Sequence, residues 1–363
     1  MPMFPWRCLR TGLLALSTLG ALAAQAAPLT ALEVLQQFNL VTLGSTVSSS
    51  HVDGRAFIGG SLNGNGAVVG MHPSTTPASA YAALTVAGSV SGTQVTAGGI
   101  TVLGNASNVT VNNGPAAIAG NASNSNFNGT GGVYTGGTRS GVNANSGSLG
   151  SSAAAAQLAT ATSTDFTSVL GGLSSTLSLL PSTGSYWDVA GSRVTFHAVA
   201  DSSGLAVFDL SSVGQLLSYG EFNFDLGSAS SVIFNSDVTS ATISANFLGG
   251  SAQALSSKVI WNFYNATTLT LNAQFGGSVL ATGADLRNSN NIEGGVYVKT
   301  LNQQGEIHQG AYAGVLPAGG NRSSVSAQVP EPASWLLVGL ALAAGATATG
   351  IARRAAARRR AAA

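Results

Sequence analysis

From Leu84 to Gly137 a short apolar-x-Gly unit returns at a fixed interval. Val86-Ala87-Gly88, Val102-Leu103-Gly104, Ile118-Ala119-Gly120 and Tyr134-Thr135-Gly136 place their glycines 16 residues apart. Between them lie β-branched residues with Ser, Thr, Asn and Gly, as in Asn108-Val109-Thr110-Val111-Asn112. A strand-turn unit of this length cannot bury its own apolar side, whereas stacked copies bury one another's. The pattern predicts a β-solenoid. Asn105 and Asn121 hold equivalent places in successive units and are expected to form an internal ladder that satisfies corner backbone groups. The competing use of the same Ser, Thr and Asn content is a flat face for ice, ordered water or sugar, which a long row of outward Thr would favour.

On either side the period changes. Leu32, Leu35 and Phe38 suggest a short helix or turn, His51 to Leu62 reads as strand and Gly-Gly corner, and Met71 to Ala80, with Pro73 and Pro77, reads as an excursion from one coil. Over 151–180, Leu158, Phe166, Val169, Leu170, Leu173 and Leu177 recur at helical spacing and Pro181 closes the run, which predicts one amphipathic helix on the solenoid flank, broken at Gly171-Gly172 if anywhere. From Trp187 to Leu280 the strands lengthen and become aromatic. Gly294-Gly295-Val296-Tyr297 then repeats the cadence of Gly131-Gly132-Val133-Tyr134, so the second half is expected to add further coils to the same body.

The two ends read differently. Arg7 and Arg10, the apolar run Leu13 to Ala24, and Ala24-Gln25-Ala26 form a secretory signal with cleavage after Ala26. Residues 321–328 form a polar linker. Over 329–363, Pro330-Glu331-Pro332 precedes an apolar run from Trp335 to Ile351 and then Arg353, Arg354, Arg358, Arg359 and Arg360. That run is just long enough for a transmembrane helix with a cytoplasmic basic stop. The expected fold is thus mainly β: a β-solenoid over 27–320 with one flanking α-helix, an N-terminal signal helix and a C-terminal transmembrane helix.

Composition narrows the chemistry. The 363 residues are 45% hydrophobic and only 7% charged, and the near-neutral net charge of +1 hides basic ends around an acidic body. Between Ala27 and Val329 there are 7 basic and 12 acidic side chains, which argues against nucleic-acid binding. The single cysteine, Cys8, lies in the signal, so the mature chain is expected to hold no disulfide and no thiol chemistry. His51, Asp53 and Arg55 fall on one face if the strand alternates. His-x-Asp suits a metal or a general base, but an Asp53–Arg55 pair capping the first coil is the preferred reading. Glu306 and His308 are read in the same way as closing the last coil, and the functional reading gains if the two sets meet in space. Asp285, Arg287 and Glu293 make only a loose cluster, short of the converging carboxylates a polysaccharide-cleaving groove needs.

The 329–363 tail resembles a PEP-CTERM sorting signal. That resemblance implies recognition of Pro330, Glu331 and Pro332 and cleavage by an exosortase, with an ordinary membrane anchor as the plainer alternative. The body resembles the choice-of-anchor A family of bacterial surface proteins through Phe38-Asn39, Val52-Asp53-Gly54-Arg55 with Gly59-Gly60, Ile260-Trp261-Asn262-Phe263, Gly277-Ser278-Val279-Leu280-Ala281 and Gly305-Glu306-Ile307-His308. It departs after Ala281, where Thr282-Gly283-Ala284 stands in place of an expected proline. The resemblance implies no established catalysis and no cofactor. The expected function is an exported, non-enzymatic structural or adhesive protein of the cell surface or extracellular matrix, sorted through its tail. An ice- or glycan-binding module and a carbohydrate-active enzyme are the alternatives. Expected partners are signal peptidase, an exosortase, the inner membrane before cleavage, and an exopolysaccharide matrix.

Overall fold

Equivalent residues of successive units sit side by side in the structure, a computed structural model that describes residues 26–145 and 147–321. Leu84, Thr85 and Val86 pair in parallel with Ile100, Thr101 and Val102, and these pair with Ala116, Ala117 and Ile118. The chain is mainly β, with one large parallel sheet and few helices. The last step of the repeat is 17 residues, not 16, because Ala117 pairs with Tyr134. Five residues, 128–132, turn a corner that four residues, 112–115, turn in the layer before. Each layer supplies up to three short strands, as in Ile100–Val102, Ala106–Ser107 and Thr110–Val111, so the stack has three sides.

The repeated glycines mark where adjacent layers come closest. A Cβ on Gly88 would lie 2.6 Å from the Gly60 carbonyl oxygen, and one on Gly104 would lie 2.6 Å from that of Gly88. Inside, Leu84, Val86, Ile100, Val102, Val111 and Ile118 are fully buried. The C-terminal layers are filled by larger rings: Phe234 stacks on Trp261 at 4.1 Å and on Phe208 at 4.5 Å. A separate four-stranded sheet, Tyr186–Ala190, Arg193–His197, Glu221–Asp225 and Asn246–Phe247, packs Val194, Phe196 and Phe222 onto that aromatic interior.

Layer order is not chain order. Leu40–Thr42 pairs with Ala56–Ile58 on one side and with Val296, Tyr297 and Val298 on the other. From Ala56 the layers run through Leu84, Ile100 and Ala116 to Val133; on the other side they run back from Val296 through Val279, Ile260 and Val232 to Ala206. The second half therefore joins the same sheet, as expected, but does not continue the first half: it starts at the far end and grows back until its last layer docks on the first.

Helices carry the chain between the two ends. The single helix expected over 151–180 is two, α2 (Ser152–Thr160) and α3 (Phe166–Ser178), after the short α1 (Ala31–Gln37). The break falls at Ala161 to Asp165, where Asp165 caps α3 by accepting from Ser168, and not at Gly171-Gly172. Ser151 caps α2, and Thr30 with Glu33 forms a capping box on α1. α2 lies over the strands at 100–102, 116–118 and 133–135, and α3 over Ser231–Ser236, Val259–Phe263 and Ser278–Asn288. One side of the stack is thus covered, with Phe57, Val207, Ile233, Ile260 and Leu280 packed beneath the helices.

No helix among the described residues is long and apolar enough to cross a membrane. The expected signal and transmembrane helices, with Ala24, Pro330, Glu331, Pro332, Arg353, Arg354, Arg358, Arg359 and Arg360, lie outside the described residues; Ala26 is half-buried at their edge.

The seam between first and last layers is fastened by buried polar groups. Asn39, 5% exposed, donates from Nδ2 to the carbonyls of Gly294 (3.0 Å) and His308 (3.1 Å) and accepts from Gly54 N–H (3.1 Å). Tyr297 Oη donates to the carbonyls of Leu35 and Phe38. Gln303 Nε2 donates to the His51 carbonyl at 2.7 Å, and its Oε1 accepts from Ser48. Asn39→Ala strands a buried donor and two carbonyls and is expected to cost about 2–4 kcal/mol. It should be read as a lower urea midpoint at unchanged m-value.

Candidate functional site

With one side covered, two sides of the N-terminal layers are open, and each carries a row of side chains in register, polar except for Val47. On the first, Val47, Asn63, Ser91, Ser107, Ser123 and Ser140 lie side by side on successive strands. On the second, Gln94, Thr110, Asn126 and Asn143 do so, and Asn143 donates to Asn126 at 2.8 Å. Beside that row Asn145 donates to Asn128 at 2.7 Å, and Asn128 to Asn112 at 3.4 Å. Parallel strands place successive residues of such a row about 4.8 Å apart. On the second side the asparagines are thus held by their neighbours, and on the first Ser91 donates to Asn63 at 3.4 Å.

The expected asparagine ladder exists and is longer than Asn105 and Asn121. Ser61 N–H donates to Ser45 Oγ, Ser89 N–H to Ser61 Oγ, Asn105 N–H to Ser89 Oγ, Asn121 N–H to Asn105 Oδ1 and Thr138 N–H to Asn121 Oδ1, all within 3.1 Å. It runs down an exposed corner and is not internal: Asn105 and Asn121 are both exposed.

The residues singled out in the sequence fall in two places. At the seam, Ile307 pairs with Val52, which brings the His51–Asp53 set against Glu306 and His308. His51 Nδ1 is 3.4 Å from Glu306 Oε1, His308 Nε2 is 2.8 Å from Glu306 Oε2, and His308 Nδ1 is 2.8 Å from Glu293 Oε1. Asp53 accepts from Gln309 N–H and faces His72 at 3.6 Å. The two sets do meet, and Glu293 and His72, which sequence spacing did not assign there, join them. Among the described residues no group of three or more His, Cys, Asp or Glu is arranged to hold a metal ion.

The expected Asp53–Arg55 pair is not formed. The strand ends at Val52 and the chain bends at Asp53 and Gly54, so alternation stops and Arg55 turns away from Asp53. Gly54 sits at that bend against Asn39, whose Cβ would be 3.0 Å from an added one. Arg55 instead donates to the carbonyls of Tyr81, Gln37 and Pro77. Nor do Asp285, Arg287 and Glu293 converge: the first two are exposed on one open side, whereas Glu293 is buried beside His308.

Trp261 and Asn262 lie in the C-terminal half and serve its packing. Trp261 is buried in the aromatic interior, with Nε1 donating to the Gly276 carbonyl at 2.9 Å. Asn262 points the other way, beneath α3, where Oδ1 accepts from Ser174 Oγ and Nδ2 donates to the Ser174 carbonyl and to Asn235 Oδ1. Asn235 in turn donates to the Leu177 carbonyl. These two amides pin the helix to the sheet, a role that local sequence does not reveal.

The seam cluster is a proton-linked fastener. Burial by itself pushes the His308 imidazole down, but hydrogen bonds to Glu306 and Glu293 outweigh it and hold the group above its ordinary 6.5. Glu306 is held below its ordinary 4.5, first by the hydrogen bond with His308. The raised histidine stabilises the fold fully below pH 6.5, and that contribution is lost as pH rises through the raised value. The lowered glutamate contributes above 4.5 and loses this as pH falls through the lowered value. The seam is therefore tightest in the mildly acidic window between them. The urea midpoint is expected to fall from pH 5.5 to pH 8.5, and His308→Gln to remove most of that slope.

A search of curated proteins and a search of solved structures each gave no significant match. Residues 31–309 match the family described as "Putative Ice-binding-like adhesive domain". That span runs from the start of α1 to just past the seam cluster and takes in the covered side, both open sides and the returning helices. The chain thus belongs to this ice-binding-like adhesive family, whose description points to a protein of the cell surface or exterior.

Proposed function

We propose that this chain is an exported, non-enzymatic adhesive, with a rigid β-solenoid body that works at the cell surface or in an exopolysaccharide matrix. The observation that carries this reading is the pair of open sides with polar rows in register. Side chains already ordered by their neighbours lose little conformational freedom when they engage an extended partner. Many weak contacts along one flat surface then sum through multivalency. The choice-of-anchor A resemblance and the PEP-CTERM-like tail favour delivery by signal peptidase followed by exosortase cleavage near Pro330, Glu331 and Pro332. Arg353 to Arg360 would then hold the tail in the inner membrane before cleavage.

Ice binding is the second reading, favoured by the family description. Adhesion ranks first because two of the threonines at strand spacing, Thr85 and Thr101, are 1% exposed on the helix-covered side, with Thr101 donating to Gln157 of α2. Among the described residues, neither open side carries a long outward Thr row.

Two measurements test the proposal. The triple variant Ser91→Ala, Ser107→Ala, Ser123→Ala is expected to bind native exopolysaccharide about tenfold or more weakly at an unchanged melting temperature; equal binding would dismiss that side as the adhesive one. Inhibition of ice recrystallisation by the parent chain, lost in the same variant, would favour the ice reading instead. Intact-mass analysis of membrane and extracellular fractions is expected to show loss of everything beyond about Pro332 from the extracellular form. An intact tail found only in membranes would refute sorting.

A further inference from the structure

Arg55 is a buried cation without a counter-ion. It is 7% exposed, packs 5.8 Å over the Phe38 ring, and lies within ion-pairing distance of no acidic side chain among the described residues. Its protein partners are neutral: Nε donates to the Tyr81 carbonyl (3.1 Å) and Nη1 to those of Gln37 (2.8 Å) and Pro77 (3.1 Å). Burial alone lowers its pKa to about 10. A guanidinium taken from water without an opposing charge carries a penalty of several kcal/mol, so retaining one here calls for an occupant. The remaining nitrogen, Nη2, donates to no group of the described residues, and it is not among their unpartnered polar atoms sealed from solvent.

Arg55 lines a cavity of about 240 Å³ beneath the 71–80 excursion, with Pro73, Thr76, Pro77, Ser79 and Ala97 among its walls. A narrower cleft shares Arg55 and adds Gln37, whose Oε1 is buried and accepts no hydrogen bond. That acceptor does not face the larger cavity, whose polar walls besides Arg55 are Thr76 and Ser79; a buried cation beside two hydroxyl-bearing walls suits a ligand bearing a negative oxygen and hydroxyls.

We propose that this cavity binds a small hydroxylated carboxylate, with the carboxylate facing Arg55, hydroxyls facing Thr76 and Ser79, and the carbon skeleton against Pro73 and Pro77. Guanidinium groups pair with carboxylate and phosphate oxygens alike, and the apolar walls at Pro73, Pro77 and Ala97 favour the acid that carries a carbon skeleton. The volume equals that of about eight liquid waters and falls below the roughly 300 Å³ floor of pockets for larger ligands, so it accommodates one sugar-acid unit. The acid is either free or a uronate residue of an acidic polysaccharide. The site stands apart from the open sides and does not rest on the adhesive reading.

Calorimetry on the full chain with D-glucuronate, D-glucose, inorganic phosphate and a uronate trisaccharide tests it. Saturable glucuronate binding is expected, with glucose at least about tenfold weaker and phosphate unable to compete. Ala97→Leu, which fills the cavity without touching Arg55, is expected to abolish binding at an unchanged melting temperature. Arg55→Lys should abolish it too, with a lower melting temperature from the lost carbonyl ties. Trisaccharide binding as tight as the monomer's would identify the polysaccharide as source, and its exclusion the free acid. Glucose binding as well as glucuronate, phosphate displacing it, no binding at all, or full binding by Ala97→Leu would each overturn the proposal.

Discussion

The parallel pairing of Leu40, Val41 and Thr42 with Val296, Tyr297 and Val298 is the contact on which the rest depends. It joins segments more than 250 residues apart in sequence, so the entropy of closing the chain must be met before these strands reward it. The regular layers from Ala56 onward need a first layer to grow from, and that layer is held from below by the last one. Asn39, Tyr297 and Gln303 fasten the joint with hydrogen bonds to backbone carbonyls from both halves, and Glu293, Glu306 and His308 add charge. Several of the motifs on which the family resemblance rests converge here, which gives them a common structural reason that needs no catalysis.

The two half-stacks solve the packing problem differently. Beyond the seam on the N-terminal side, the interior is filled by Val, Ile, Leu and Ala until Phe127 enters near its end, and the glycine corners let layers approach without side chains between them. On the C-terminal side the interior takes Phe208, Phe234, Trp261 and Phe275, and a second sheet is needed to cover it. Returning the chain along one side commits that side to burial under α2 and α3. Open surface is left only where no helix lies, so the connection between the halves also decides which residues face outward.

Much of the first half is legible in the sequence because its signals are local. The Gly period, the β-branched runs and the corner asparagines each report on residues 16 positions away, and the structure pairs them so apart from the final step of 17. The cadence shared by Val133-Tyr134 and Val296-Tyr297 is also real, since both begin strands on the helix-covered side. What sequence could not give was long-range. Nothing near Ala206 says that the second half begins at the far end, because parallel pairing leaves no mark in the connecting residues. The Asp53–Arg55 pairing failed for the opposite reason: one bend at Gly54 cancels an alternation that would have held in a longer strand. Asn262 and Asn235 read as strand residues, and only α3 above them explains why two amides are buried there.

Leu32 N–H donates to Asn321 Oδ1 at 3.0 Å, so both flanks of the described chain meet beside α1. A pull on residues past 321 would therefore enter at mid-height, at the joint, and not at either tip. Such a force divides between two half-stacks that extend in opposite directions, like a load hung from the middle of a beam. Rupture strength would be set by the few bonds between layers 40–53 and 296–308, and lengthening either run of layers would widen the contact area without strengthening the attachment.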